Sequence, residues 1–269
     1  MEFRTPTRLP LGPVASHVFA VAVNTYRETV RDRIFYLVGA FGFVLVASSV
    51  VISPLTIGAQ DKIVSDVGLG AMSLFGLLVA ILVGSNMVRK EIDRRTITTI
   101  LAKPLARRTY LLGKFCGLNL TLLCMMGIMG ALFFLVLLLT PGGVTARYLP
   151  AIYLAFLELM LVNAAVSLFS ALMSPALAAV LALGFYAMGH MSESLRSFGQ
   201  AVGSEAYARV GEIVYHVLPN LEMFNVRGAV VHGDTVSGEH LLIATVYGLA
   251  YTALLLVAAG AVFARKELR

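Results

Sequence analysis

The lengths of the apolar runs restrict this chain more than any other feature. Six stretches, Ile34–Ser53, Val67–Val88, Phe115–Thr140, Ala151–Met173, Pro175–Met191 and Leu241–Ala264, are apolar almost throughout. A helix rises about 1.5 Å per residue, so roughly 20 apolar residues cross a hydrocarbon core of about 30 Å. Five runs reach that length, and Pro175–Met191, with 17 residues, is marginal. In lipid every backbone polar group must be satisfied internally, which a helix does within one segment. The sequence therefore predicts an all-α integral membrane protein with six transmembrane helices, forming one membrane domain over residues 1–269. Composition agrees. Charged residues are 13% and apolar residues 58%, whereas a soluble domain carries about a quarter charged residues.

Charge orders the connectors. With six spans both termini share a side. The N-terminal segment, the Arg89–Lys114 connector and the C-terminal tail hold 16 of the 21 Lys and Arg, and eight of these fall in that one connector. The other face has only Lys62, Arg147, Arg196, Arg209 and Arg227, together with eight acids that include Asp66, Glu212 and Glu222. The positive-inside rule makes the basic side, with both termini, cytoplasmic. The net charge of +6 is then accounted for by topology and implies no nucleic-acid partner. No cleavable signal peptide is expected, since Pro6, Pro10 and Pro13 interrupt the early apolar residues. Cys116 and Cys124 lie eight apart on one predicted helix, about two turns, too far for a disulfide.

Pro13 suits the first position of a helix. Val14, Val18, Val21 and Ala22 follow at helical spacing, and Arg27, Glu28, Arg31, Asp32 and Arg33 gather at the far end. This predicts an amphipathic helix lying on the membrane, with a cytoplasmic surface helix as the alternative. In the basic connector Ile92, Ile97, Ile100 and Leu101 recur near helical spacing, with Arg94 and Arg95 off the stripe. Pro104 then imposes a turn. Met173-Ser174-Pro175 leaves room only for a tight antiparallel hairpin between the fourth and fifth spans. On the opposite face, Tyr207, Val210, Val214, Val217 and Leu218 form a stripe ending at Pro219. They predict an outer helical segment, with a looser stretch from Gly228 to Gly238.

The connector "RKEIDRRTITTILAKPLARRTYLLGKFCG" and the preceding "NTYRETVRDRIFYLV" closely resemble the permeases of ABC-2 type transporters. The matching positions are Glu91, Thr96, Leu101, Ala102, Pro104, Arg107, Tyr110, Leu112, Gly113 and Lys114. The wording is most similar to the branch associated with copper-enzyme maturation (permeases of the nitrous-oxide-reductase type). The resemblance implies an ABC-2, type V exporter-like fold in the cytoplasmic membrane. It also implies two paired permease copies, each docking a coupling helix on a cytosolic ATPase subunit that uses ATP and Mg. The coupling residues so implied are Glu91, Arg94, Arg95, Thr96, Ile97, Ile100, Leu101, Pro104, Arg107, Arg108 and Tyr110. The chain itself has no phosphate-cradling G-x-x-x-x-G-K-[ST] loop, because Gly113-Lys114 is followed by Phe115. No catalytic residue, metal ligand or bound cofactor is therefore assigned to it. Membrane lipid and an outer-face, periplasmic protein complete the expected partners. The competing reading of the connector is a solvated basic loop that only fixes topology.

Inside the spans, Glu158 is the one acid well within an apolar run, and a carboxylate there must face the bundle or a cavity. Glu158 and Asn163 are the candidate intramembrane functional residues. Internally hydrogen-bonded structural groups are the plainer reading, and a proton-coupled role is the sharper one. Met188-Gly-His-Met191 offers soft and borderline metal donors, but adjacent positions point around a helix and methionine is a common gap-filler. Packing is the preferred reading. Gly113 and Gly117 form a G-x-x-x-G, for which close helix packing and chance are equally weighted. Two other function classes compete with an ATP-driven permease. One is an ion-coupled secondary transporter using Glu158, and the other is an intramembrane enzyme drawing on Ser73 and His190.

Overall fold

The computed structural model describes residues 13–31, 34–52, 60–86, 107–140, 143–201, 209, 211–212, 215 and 218–265. Among these, every regular element is a helix. The helices are α1 (Pro13–Arg31), α2 (Ile34–Ile52), α3 (Gln60–Ser85), α4 (Arg107–Leu138), α5 (Leu149–Leu172), α6 (Pro175–Ala201), α7 (Arg227–His232) and α8 (Gly238–Arg265). Short 3₁₀ turns at Ala146–Tyr148 and Glu222–Phe224 introduce α5 and α7. Five described segments are long and apolar enough to cross a membrane: Asp61–Ser85, Thr109–Leu138, Ala146–Leu172, Pro175–Ser197 and Gly238–Phe263. The expected first span is helical throughout α2, but its described apolar part, Tyr36–Ser48, is shorter than a crossing.

Two expectations change. The marginal fifth span is the start of a 27-residue helix, α6, which runs on through polar Ser192–Arg196. Gly228–Gly238 is not simply loose, since α7 occupies its first half and Gly233 ends it at φ 99°. That left-handed conformation suits glycine, which has no Cβ to clash. Tyr207, Val210, Val214 and Val217 lie outside the described residues. Their helical neighbours Gly211, Glu212 and Tyr215 fold back on α6. There Arg196 Nε donates to Glu212 Oε2 at 3.2 Å and the Arg196 guanidinium lies 4.4 Å from the Tyr215 ring centre.

The core is one large apolar cluster with a small second one at Leu111, Leu118 and Ala259. α5 is its axis: it packs on α3, α4, α6 and α8 and buries Leu154, Leu159, Leu161, Val162 and Val166 completely or nearly so. Large apolar side chains such as Phe43, Leu139, Val180 and Val257 project outward instead, which lipid accepts and water would not. The end of α3 at Ser85, the start of α4 at Arg107 and the α5–α6 turn lie at one end of this alternating bundle. The Ala146–Tyr148 turn, the end of α6, α7 and the start of α8 lie at the other.

α1 packs along the start of α4. Val18 and Val21 meet Gly113, and Ala22 and Thr25 meet Gly117, so the contacts advance together along α1 and α4. The reason is the Gly113–Gly117 pair. A Cβ at Gly117 would stand 2.6 Å from the Ala22 carbonyl oxygen, and one at Gly113 would stand 2.6 Å from Val21 Cβ. The pair therefore does form a packing face, and its partner is α1 rather than another span. At 32 residues, α4 extends roughly 48 Å, longer than a hydrocarbon core. α1 accompanies its first turns.

Candidate functional site

Glu158 sits near the middle of α5 and is 4% exposed. Burying a lone carboxylate is costly unless charge and hydrogen bonds compensate. The compensation comes from His190 on α6, whose Nε2 lies 2.6 Å from Glu158 Oε1. The other ring nitrogen, Nδ1, lies 3.0 Å from Glu222 Oε2 in the 3₁₀ turn before α7. Glu222 is held in turn: its Oε1 accepts from Asn225 Nδ2 at 2.9 Å. One imidazole thus joins two helices and the capping segment. Each nitrogen–carboxylate contact needs a hydrogen between its atoms. A neutral imidazole carries one, so the three groups share one proton more. Two carboxylates and that extra proton leave the chain of groups with a single negative charge.

The capping segment is fastened at further points. Leu221 N donates to the Gly189 carbonyl at 3.1 Å, and Asn220 N donates to the Tyr247 hydroxyl on α8 at 2.9 Å. Arg227 at the start of α7 pairs with Asp66 on α3, Nε to Oδ1 at 3.0 Å. Its guanidinium lies over Gly70, where a Cβ would collide with it. Nearby, Tyr148 accepts from Arg147 Nη2 at 2.8 Å and from Ser65 Oγ at 2.9 Å.

Between α3, α5, α6 and this cap lies a cleft of about 450 Å³, within the size range of small-molecule sites. Its walls are apolar, with Leu69, Met72, Leu77, Ile152 and Phe224 among them, while Glu158, Tyr186, His190 and Arg227 converge on it. Ser73 and His190 both line the cleft. No hydrogen bond joins them, however, and both imidazole nitrogens meet carboxylates, so no nucleophile–base pair is formed. Met191 lines the cleft and Met188 does not. Glu158 and Glu222 approach opposite edges of one ring, an arrangement in which the imidazole, rather than a central ion, joins the carboxylates.

Asn163 does not join this site. Five residues along a helix turn through roughly 140°, and the side chain is fully buried on another face of α5. There it borders a space of about 10 Å³ with Thr29, Val83 and Thr121, and neither end of its amide has a hydrogen-bond partner among the described residues.

The candidate coupling residues Glu91, Arg94, Arg95, Thr96, Ile97, Ile100, Leu101 and Pro104 lie outside the described residues. Arg107 and Arg108 open α4. Tyr110 follows, with a buried hydroxyl lacking a partner among the described residues. Lys114 is 5% exposed, and its Nζ lies 3.8 Å from Glu28 of α1 and 5.8 Å from the Tyr110 ring centre.

A family model described as "ABC-2 family transporter protein" matches residues 19–268, which includes most of α1, the connector, the helices from α2 to α8 and the cleft. The chain belongs to the ABC-2 transporter family. This ABC-2 protein is accordingly a multi-pass membrane protein of the permease type. Such family members are normally non-enzymatic subunits that work with a cytosolic ATPase. The match supports the family and does not extend to the copper-enzyme branch. No curated protein matches the chain at a meaningful level.

Proposed function

We propose that this chain is the membrane half of an ATP-driven transporter of the cytoplasmic membrane. Its six spans include α2, its termini are cytoplasmic, and a second copy of the chain completes the translocation path. A separate ATPase engages the 89–114 connector, and closure of the ATPase pair on ATP moves the helices. The observation that carries this reading is the gathering of eight of 21 Lys and Arg over residues 89–114, five of them between α3 and α4 and three at the start of α4. This lies at the opposite end of the bundle from the Glu158 cleft, in a chain whose family match runs 19–268. Positive charge of this density marks the cytosolic side, and the stripe Ile97, Ile100 and Leu101 with the Pro104 turn gives a docking element more than charge alone would. The test is reconstitution with the ATPase. Arg107→Glu with Arg108→Glu, or Ile100→Gln, should abolish co-purification or leave ATP hydrolysis without transport. Unchanged association together with ATPase stimulation equal to wild type would overturn it. The metalloenzyme-maturation role rests on the wording of the connector. Its test is whether loss of the chain leaves a copper enzyme without metal.

One observation favours a second reading, an ion-coupled secondary transporter. The Glu158–His190–Glu222 chain shares a proton inside the bundle, and intramembrane carboxylates of this kind serve proton relays. Transport driven by a proton gradient in vesicles lacking any ATPase would establish it. Strict dependence on ATP hydrolysis would exclude it.

A further inference from the structure

We infer that the cleft between α3, α5, α6 and the capping segment binds an amphipathic organic cation, exchanging its charge for a proton of the Glu158–His190–Glu222 chain. The transport consequence rests on the permease reading, while the binding itself is a property of the cleft.

The choice of charge follows from the groups facing this space. Asp66 on α3 and Arg227 on α7 form one ion pair at 3.0 Å, so the basic residue in the lining is already matched. Glu158 on α5, His190 on α6 and Glu222 in the cap share two hydrogens over contacts of 2.6 and 3.0 Å, which leaves one negative charge unmatched. Tyr186 on α6 stands against the imidazole with ring centres 4.6 Å apart and lines the same space. The net negative charge of these groups, set beside a largely apolar wall where screening is weak, attracts a cation in place of the proton. An anion would add to the charge instead. The aromatic faces of Tyr186 and Phe224 add to the attraction for a cation. The apolar lining (Leu69, Met72 and Ile152 among it) requires that the rest of the ligand be hydrocarbon.

The exchange balances. The free cleft holds the extra proton. When the cation enters, that proton leaves to solvent, His190 becomes neutral, and both carboxylates are ionised. The site and ligand together then carry the same single negative charge as the free site. Affinity therefore rises with pH across the range in which the free cleft keeps its proton, and each binding event releases up to one proton.

The experiment uses purified full-length protein in lipid nanodiscs, with tetraphenylphosphonium and tetraphenylborate as probes of nearly equal shape and opposite charge. Calorimetry in two buffers of different ionisation enthalpy counts the protons released. Tetraphenylphosphonium should bind at least tenfold more tightly than tetraphenylborate, corrected for partition into empty nanodiscs, with proton release that grows smaller at high pH. Glu222→Gln lies on the half-exposed cap and leaves the helix core intact, so it should weaken the cation about tenfold and remove the release. Glu158→Gln should do the same, judged only where its thermal midpoint matches wild type. Equal binding of the two ions, preference for the borate, or cation binding untouched by Glu222→Gln would overturn the proposal. Cation binding that fails to stimulate a co-reconstituted ATPase would leave the site standing and count against the permease reading alone.

Discussion

Two regions of the bundle bury ionic side chains by opposite means. Where α1 meets α4, shape decides. Gly113 and Gly117 let the two backbones approach until no Cβ would fit, and the Lys114–Glu28 pair is long, at 3.8 Å. At the cleft, charge decides. His190 is held at 2.6 and 3.0 Å by carboxylates from two other elements, next to open space of about 450 Å³. The first region has no slack. The second is joined across the cleft by side-chain contacts of His190, beside a backbone bond from Leu221 N to the Gly189 carbonyl. The proposed transporter, taking work at one end and handling cargo at the other, would use both kinds of joint.

The largest expected effect separates them at the charged site. Glu158→Ala removes the buried partner of His190, and breaking such a pair costs about 3–5 kcal/mol. It should appear as a sharply lowered thermal midpoint of the detergent-solubilised protein, and a change under about 1 kcal/mol would show that this pair does not hold α5 to α6. Next is the shape-determined joint. Gly117→Ala should cost about 1–3 kcal/mol by overpacking. Gly127→Ala, where nothing lies within 4 Å, should be neutral or should gain up to about 1 kcal/mol from helix propensity. Equal behaviour of the two variants would remove the distinction between the regions. Asn163→Leu replaces a fully buried amide without described partners by an apolar group of similar size, and should be neutral or stabilising by about 1 kcal/mol. A loss of several kcal/mol would mean that the amide is satisfied in the folded protein. The smallest effect belongs to Asp66→Asn. Its pair with Arg227 is half exposed, so stability should fall by less than about 1 kcal/mol. By freeing the guanidinium it should also narrow the preference for cations over anions in the cleft.

Much of the helical frame is legible in the sequence because apolar run length reports directly on the solvent. Each expected span coincides with one helix over most of its length. The runs do not report where a helix continues into polar surroundings. Thus α3 starts at Gln60 and α6 ends at Ala201, well beyond the apolar limits. Gly113–Gly117 is visible as a motif, but its partner is not, because spacing along one helix carries no record of which neighbour fills the groove. Glu158 stands out as a carboxylate among hydrocarbon residues. Its partners are hidden by distance along the chain: His190 is 32 residues on and Glu222 another 32. The question that finds His190 from sequence is which group neutralises Glu158, since it is the imidazole in the adjoining apolar run. Glu222 and Arg227 carry no such signal, because charged residues in a polar connector are ordinary. Pairing Asn163 with Glu158 by nearness in sequence ignores the helical turn that sends them to different faces of α5.

The opposition of the two ends is the claim on which the rest depends, and sidedness measures it most directly. In a Cys116→Ser, Cys124→Ser background, single cysteines at Arg95 in the connector and at exposed Thr235 beyond α7 are treated with a membrane-impermeant maleimide on intact cells and after lysis. The account predicts that Thr235→Cys is labelled on intact cells and Arg95→Cys only once the membrane is opened. Labelling of Arg95→Cys from outside, with Thr235→Cys protected, would contradict it.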